Sequence, residues 1–352
     1  MALLTFQNIG ISGVSAAVPS NIIDNYAYTG HFAADEVKTV VDKIGIYERR
    51  FADQNTCSSD LCFAAAKKLF TEMNLDLKTI DVLLFVSQTP DYRMPATSVI
   101  LQNRLGLSET TIAFDINLGC SGFVYALQTA YSFLQNSGLN RVLILNGETR
   151  SKVYSPKDRK TAFLFGDAGV AALVEKGVKF GKSFFSLNSD GSGESMIKAD
   201  AGGYRNPSSP EGFVEKVVDE YGNMRHAEHG YMDGENVFSF VAREVPKDLK
   251  RLFDFSGFDR NSIDFYLFHQ ASKIINDFLI KKLRVEKSKV PYSYQKFGNT
   301  SSVSIPLTIV SELQNKLSGR ATLCLCAFGV GLSWGSAIIH LDECCVTALV
   351  EV

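Results

Sequence analysis

The chain repeats itself, and this internal duplication constrains its fold more than any other sequence feature. The segment Ile80–Val86, IDVLLFV, is matched by Ile263–His269, IDFYLFH. At a nearly identical offset, Leu118–Val124, LGCSGFV, is matched by Phe297–Val303, FGNTSSV. Duplicated halves tend to pack about a pseudo-two-fold axis, so we expect equivalent positions of the two copies to converge on one place.

Three reactive side chains occur where the two copies differ. Cys120 stands in the first copy, and His269 and Asn299 stand in the second. A thiol, an imidazole and a carboxamide brought together are the groups of nucleophilic thioester chemistry. The duplication therefore predicts one site that is built from both halves.

Short apolar runs alternate with longer amphipathic runs, which predicts strands connected by helices in an α/β protein. The predicted strands are Gly10–Val18, Val82–Ser87, Ile112–Asn117, Val142–Asn146, Ala168–Glu175, Phe184–Asn188, Phe265–His269, Thr322–Phe328 and Gly335–Leu341. The predicted helices are Asp60–Met73, Ser121–Asn136, Val237–Asp254, Ser272–Leu283 and Ser302–Lys316. We place the boundary between the halves near Lys176–Lys182, which gives residues 1–178 and 179–352. Residues 189–235 are rich in Gly, Pro, Ser and charge and are predicted to be a loop-rich excursion.

Charge and cysteine content limit the binding partners and the cellular compartment that we expect for this protein. The 36 Lys and Arg face 38 Asp and Glu, so no global field attracts nucleic acid or an anionic membrane. The seven cysteines form an odd count with no paired zinc spacing, which favours a reduced, cytoplasmic setting. Met1–Pro19 is predicted to be a strand rather than a signal peptide, and no apolar run approaches the roughly 18 residues of a membrane span.

Cys120 differs from the other cysteines in its surroundings. Most cysteines are small buried apolar groups. Cys120 instead ends an apolar run, follows Gly119 and precedes an amphipathic stretch. The glycine is predicted to permit a tight strand-to-helix elbow, which places the thiol at a helix N-terminus, where the dipole favours thiolate.

His269 and Asn299 also have ordinary structural explanations. A histidine after an apolar run is more often a satisfied core residue, and Asn299 could be a helix N-cap. The pairing of both with Cys120 through the repeat favours a shared cleft instead. Pro306 lies too deep for the first turn of the predicted helix and is expected to kink it or to mark a local irregularity.

The run from Phe328 to Gly335 superficially suggests a dinucleotide loop, but a β-like run follows it, so that interpretation fails. A glycine-bracketed turn between strands can instead present the backbone N–H of Val330 to an oxyanion. His226 and His229 lack carboxylates or cysteines at metal-site spacing, so no metal site is predicted there.

Four motifs in order now carry a family resemblance: GCSG at 119–122, FHQA at 268–271, GNTS at 298–301, and AFG to WGS at 327–336. Together they resemble the β-ketoacyl-acyl carrier protein synthase III enzymes of the thiolase-fold superfamily, over essentially the whole chain. The resemblance implies a five-layered αβαβα fold made of two duplicated halves, a homodimer, and a Cys-His-Asn site.

The resemblance also implies roles. Cys120 takes the acyl group from an acyl thioester, with the backbone N–H groups of Cys120 and Val330 holding the oxyanion. His269 and Asn299 support decarboxylation of a malonyl thioester, which forms the carbon–carbon bond. The thioesters are carried by coenzyme A or acyl carrier protein, in fatty-acid initiation or a specialised acyl or polyketide pathway. No metal or redox cofactor is expected.

The positions that contact the donor depart from the family pattern. Thr39 stands in place of an adenine-stacking tryptophan and Lys43 in place of the following arginine, while Arg159 remains as a phosphate contact. Where the family often has a basic residue that docks acyl carrier protein, this chain has Ile274 with Lys273 beside it.

Met94 matches a position that in the family reaches across the dimer to line the partner's acyl pocket. Its flexible side chain could accept a longer or branched acyl chain. The acyl chain itself is left open by these residues.

Two other classes of function remain open. One is an acyltransferase that moves the acyl group from Cys120 to an amine or hydroxyl without decarboxylation. The other is a non-catalytic partner subunit that binds acyl chains. The intact Cys-His-Asn set argues against the second, and product analysis separates the first from condensation.

Overall fold

The structure is a computed structural model that describes residues 2–317 and 319–352. Met1, the first residue of the predicted N-terminal half, lies outside them. The helices are α1 (Ala34–Ile44), α2 (Ser58–Met73), α3 (Thr97–Leu105), α4 (Gly122–Leu134), α5 (Gly234–Ser256), α6 (Lys273–Leu283), α7 (Tyr294–Phe297) and α8 (Ser304–Leu313). The strands are β1 (Ala2–Gln7), β2 (Ile9–Val18), β3 (Ile22–Asp24), β4 (Glu48–Arg50), β5 (Val82–Val86), β6 (Ile112–Ile116), β7 (Arg141–Thr149), β8 (Asp167–Lys176), β9 (Lys182–Ser189), β10 (Ile197–Ala199), β11 (Lys216–Val217), β12 (Met224–Arg225), β13 (Gly230–Met232), β14 (Phe265–Phe268), β15 (Arg320–Gly329), β16 (Ser333–Asp342), β17 (Cys345–Val346) and β18 (Val350–Glu351).

The two main sheets repeat one topology. One sheet has the strand order β17-β2-β8-β7-β5-β6, with β18 also paired to β2, and the other has the order β1-β9-β16-β15-β14. In both, a parallel pair (β5 with β7, β14 with β15) is followed by two antiparallel pairs. The duplication predicted from the sequence is therefore present in the sheets.

Helices separate and cover the two sheets. α4 and α8 are apolar along most of their length and lie between the sheets in one continuous core. α2 and α3 cover the outer face of the first sheet, and α5 and α6 cover the outer face of the second. The predicted five-layered αβαβα arrangement is confirmed.

The N-terminal and C-terminal strands of the chain each join the sheet of the opposite half. β1 pairs with β9 of the second sheet, whereas β17 and β18 pair with β2 of the first. The single N-terminal strand predicted for Met1–Pro19 is wrong because Asn8, with φ 61°, breaks it into β1 and β2. Residues 189–235 hold the short strands β10 to β13 joined by turns and 3-10 segments.

At Pro306 the structure shows the second of the two expectations, a local irregularity in the predicted helix. The predicted helix Ser302–Lys316 is a 3-10 segment, Ser301–Val303, followed by α8 from Ser304. Pro306 therefore lies in the first turn of α8, where its missing N–H has no intrahelical partner to lose. None of the helices formed by residues 2–317 and 319–352 is long and apolar enough to cross a membrane.

Candidate active site

Cys120 lies on the turn between β6 and α4, directly before Ser121, the N-cap of α4. Its side chain is 8% exposed, and its Sγ lies 3.8 Å from Oγ of Ser301. The predicted elbow is present, and it presents the thiol at the start of a buried helix.

Two glycines make room for this thiol. A Cβ atom at Gly119 would lie 2.3 Å from Cγ1 of Val330 and 2.5 Å from Oε1 of Gln88. A Cβ atom at Gly329 would lie 2.6 Å from Cβ and 2.7 Å from Sγ of Cys120. Gly119 is thus required at the elbow for space.

His269 follows β14 and is held from two sides. Its backbone N–H donates to the carbonyl of Cys326 at 2.8 Å, and its Nδ1 lies 2.8 Å from Oγ of Ser304. That Oγ also accepts from the N–H of Gln270 at 3.3 Å, so its own hydrogen is available for Nδ1. In the neutral ring Nδ1 then accepts and the hydrogen lies on Nε2; in the charged ring both nitrogens carry hydrogen and Oγ of Ser304 accepts from Nδ1.

Asn299 is fixed by its backbone and by its side-chain oxygen. Its N–H donates to the carbonyl of Leu164 at 2.8 Å, and its carbonyl accepts from Gly166 at 3.2 Å. Its Oδ1 accepts from the N–H of Ser301 at 2.9 Å, which leaves the Nδ2 hydrogens as donors. The N-cap alternative is wrong, because α8 begins only at Ser304.

One cavity of about 930 Å³ joins these residues. Cys120, His269 and Asn299 line it together with Val330, so the structure brings together the three side chains that the repeat predicted to converge. Among residues 2–317 and 319–352, no group of three His, Cys, Asp or Glu residues could hold a metal ion.

The predicted donor-binding residues divide between the cavity and the outer surface. Lys43 and Arg159 line the cavity near its exposed end. The Nη1 atom of Arg159 pairs with the Glu36 carboxylate at 2.6 Å. Lys273 is the exposed first residue of α6, and Met94 is 74% exposed; neither lines the cavity.

Thr39 is also outside the cavity lining. Its side chain is exposed on α1, and its Oγ1 donates to the carbonyl of Asp35 in the preceding turn. Ile274 does line the cavity, next to Lys273 in the chain. The position of the family's tryptophan is therefore solvent-facing and open in this chain.

The electrostatics of the cavity favour the Cys120 thiolate. Burial by itself raises the pKa of this thiol, but the charge of His269 and a hydrogen bond with its ring act in the opposite direction. Arg150 and Ser301 add to the effect of His269, and together they lower the pKa of Cys120 to about 7. A cysteine with this pKa carries a large thiolate fraction near neutral pH.

Sequence reasoning missed Arg150 and Glu148. Both are buried at the end of β7, and Arg150 lines the cavity beside Cys120. Burial raises the pKa of the Glu148 carboxyl. The available signal was two charged residues, Glu148 and Arg150, directly after the apolar run of a central strand, because buried charges are rare without a partner or ligand.

A five-layered fold of two duplicated halves, with a cysteine, a histidine and an asparagine around one cavity, defines the acyl-transferring enzymes of the thiolase fold. Family models described as 3-oxoacyl-[acyl-carrier-protein (ACP)] synthase III and its C-terminal part match residues 114–192 and 253–341. The chain belongs to the 3-oxoacyl-[acyl-carrier-protein] synthase III family and is a condensing ketosynthase of the acyltransferase class.

Individual relatives cover nearly the whole chain. The chain is 33% identical over 342 residues to β-ketoacyl-[acyl-carrier-protein] synthase III of Streptococcus mutans, which covers 96% of this chain and 100% of that one. The structure of 3-oxoacyl-(acyl-carrier protein) synthase from Burkholderia xenovorans matches with a TM-score of 0.93 and 38% identity, over 100% of this chain and 99% of that one. A priming β-ketosynthase of a polyketide biosynthetic pathway matches with a TM-score of 0.81 and 25% identity, over 96% and 98%.

Proposed function

We propose that the protein joins an acyl group to a malonyl unit in two half-reactions at the Cys120 cavity. In the first, the Cys120 thiolate attacks the carbonyl carbon of an acyl thioester. The new bond from Sγ to carbon forms as the bond to the donor sulfur breaks, and the donor thiol leaves. The backbone N–H groups of Cys120 and Val330 hold the developing oxyanion.

In the second half-reaction, the bond between the malonyl α-carbon and its carboxylate breaks, and carbon dioxide leaves. The electron pair remains on the thioester as an enolate, which Nε2 of His269 and Nδ2 of Asn299 stabilise by hydrogen bonds. The enolate carbon attacks the acyl carbon on Cys120, and the Cys120 sulfur leaves as thiolate. The product is a β-ketoacyl thioester, and these steps use no metal or redox cofactor.

One observation supports this proposal above the others: Cys120, His269 and Asn299 come from both halves and line one cavity. The Asn299 and His269 side chains are held through Oδ1 and Nδ1, which leaves Nδ2 and Nε2 as preorganised donors. Such donors match an oxygen that gains charge during decarboxylation better than they match a neutral ground state.

Coenzyme A or acyl carrier protein is the proposed carrier of both thioesters. Both carriers place a phosphate on the arm that bears the thiol, and cations attract phosphate. Lys43, Arg159 and Lys160 line the cavity, and Lys273 is exposed beside cavity-lining Ile274. These residues support a donor that enters past α1 and α6 and reaches Cys120.

We also propose a cytoplasmic homodimer. All seven cysteines are free, as a reducing compartment requires.

The proposed dimer uses the edge of a sheet. β6 is the terminal strand of the seven-stranded sheet in the described chain, and its first residue, Ile112, is 43% exposed. Pairing of two β6 edges would cover this strand and bring exposed Met94 to the partner. Sedimentation of the wild type and Ile112→Lys tests it, since a monomeric wild type contradicts pairing.

The function itself is tested by separating the half-reactions in two variants. Cys120→Ala should remove the acyl mass shift that intact-protein mass spectrometry detects after incubation with acyl donors. Asn299→Ala should still acquire the acyl group, yet release labelled carbon dioxide from a malonyl-carrier donor about a hundred- to a thousandfold more slowly, because one preorganised donor is missing.

The outcomes distinguish condensation from simple acyl transfer. Normal carbon dioxide release by acylated Asn299→Ala would reject the condensing mechanism and favour transfer of the acyl group to an amine or hydroxyl. An undiminished acyl shift in Cys120→Ala would end the assignment of the nucleophile.

A further inference from the structure

The buried end of the cavity contains a cation, Arg150, whose only role in the proposed reaction so far is to favour the Cys120 thiolate. Arg150 is 5% exposed and lines the cavity together with Cys120, Tyr154 and Phe165. Its Nη1 donates to Oε1 of Gln88 at 3.4 Å, and a Cβ on Gly119, next to Cys120, would touch that same Oε1. Arg150 is therefore separated from the nucleophile's loop by one side chain.

The hydrogen-bonding capacity of Arg150 is not filled within the described part of the chain. Besides Gln88, its Nη2 donates to the Tyr154 hydroxyl at 3.0 Å. Its Nε is buried and has no hydrogen-bond partner. A guanidinium has five N–H donors and remains charged, and leaving buried donors unpaired is costly. Arg150 therefore has N–H donors left for an additional acceptor.

Glu148 does not supply that acceptor. Its Oε2 is 3.9 Å from Nη1 of Arg150, too far for a hydrogen bond. Its carboxylate instead accepts from the N–H of Gln88, the hydroxyl of Thr89 and the hydroxyl of Ser302, at 3.2, 3.2 and 3.3 Å. Glu148 thus balances part of the Arg150 charge as an ion pair but occupies none of its N–H donors.

Aromatic rings shape the space around the guanidinium. Tyr154 and Phe165 stack in parallel, with centroids 3.9 Å apart, and the Arg150 guanidinium lies 5.3 Å and 5.7 Å from their centroids. A donor enters from the exposed end, past Lys43 and Arg159. The acyl group left on Cys120 must then occupy the remaining buried space, which contains this arginine.

We propose that this cavity selects an acyl group that ends in a carboxylate, a dicarboxylic acid held as its monothioester, and that Arg150 binds the free carboxylate. The inference rests on the proposed function and specifies its acyl substrate. A carboxylate accepts two parallel N–H bonds from a guanidinium and balances its buried charge. An unsubstituted alkyl chain would leave the free N–H donors of Arg150 without an acceptor and push apolar groups against the charge. The covalent step is the acyl transfer described above, and the terminal carboxylate is unchanged by it.

The test measures kcat/KM for acylation of Cys120 by succinyl- and glutaryl-coenzyme A, and by butyryl- and pentanoyl-coenzyme A of matched length. The wild type should prefer the carboxylated donors by at least about tenfold, because only these donors form a charged hydrogen bond with Arg150. Arg150→Leu should reduce this ratio about ten- to a hundredfold, and Arg150→Lys should retain part of it. Lys152→Leu removes a charge from the same turn but outside the cavity lining, so it should leave the ratio unchanged.

Three results would overturn the proposal. The first is a wild type that prefers uncharged donors. The second is an Arg150→Leu variant that slows both donor classes equally, which would mean that Arg150 acts only on the Cys120 thiol. The third is an Arg150→Leu variant in which only the KM of the malonyl donor changes. Failure of the proposed function is a different result, in which no donor acylates Cys120. Protection of the thiol from iodoacetamide then decides: succinate should protect the wild type better than butyrate, and equal protection rejects the carboxylate site.

Discussion

Replacing His269 by alanine should move the ionisation of the Cys120 thiol. The wild-type thiol has its pKa lowered to about 7, because the His269 charge and hydrogen bond outweigh the opposing effect of burial. Its thiolate is therefore present above pH 7 and is lost as the pH falls below it. Without the ring, burial dominates again, and the pKa should rise by at least one unit toward the ordinary value of 9.0.

The reaction rate at a single pH will understate this change. A full return to the ordinary value lowers the thiolate fraction at pH 7 from about one half to about one hundredth, roughly fiftyfold. A more basic thiolate is intrinsically more nucleophilic, by about six- to tenfold over two pKa units. The net loss at pH 7 is only about five- to eightfold, and above pH 10 the variant should react about six- to tenfold faster than the wild type.

The assay follows alkylation of the Cys120 peptide by neutral iodoacetamide from pH 5 to pH 10, read by mass spectrometry. His31→Ala, which removes an exposed histidine outside the cavity lining, should keep the wild-type midpoint. Cys120→Ala identifies the signal among seven cysteines. An unchanged midpoint in His269→Ala, or profiles that do not cross at high pH, would refute the electrostatic account.

Three further substitutions test the geometry of the site. Gly329→Ala should slow acylation at least about tenfold while the protein stays folded, because the new Cβ must displace the Cys120 side chain; an unchanged acylation rate would contradict this packing. Ser304→Ala should slow carbon dioxide release about tenfold and leave alkylation of Cys120 near normal, since the hydroxyl orients the His269 ring through Nδ1; equal loss in both assays would show general damage instead. Thr39→Trp should lower the KM for acyl-coenzyme A with little change in kcat, because base stacking on an aromatic ring is worth about 1–3 kcal/mol; tight binding in the parent with no effect of the tryptophan would place the nucleotide elsewhere.

The sequence was sufficient for the duplication and for the reactive side chains. The repeated strands Val82–Val86 and Phe265–Phe268 occupy equivalent positions in two sheets, as their matching sequences predicted. A buried strand or helix is specified by the residues within it, through apolar periodicity and turn residues. The same repeat identified Cys120, His269 and Asn299 as positions that could converge.

Local sequence patterns gave wrong boundaries where a few residues decide where a helix or strand begins or ends. The start of α8 was placed before Ser304, because a 3-10 turn and an α-helical turn share one apolar pattern. The break at Asn8 was missed for a similar reason, since apolar residues continue on both sides of it. Both errors changed the interpretation of neighbouring residues, including Pro306.

The amino-acid sequence by itself determined the duplication and the thioester chemistry, because both follow from patterns within short segments, and its motifs carry the family resemblance that implied the αβαβα layers. Only the tertiary structure decided the pKa of Cys120, the space required at Gly119 and Gly329, and the place of Arg150 at the buried end of the cavity. Those properties depend on distances of a few ångströms between residues far apart in the chain. Burial and charge act through such distances, and no short sequence segment specifies them.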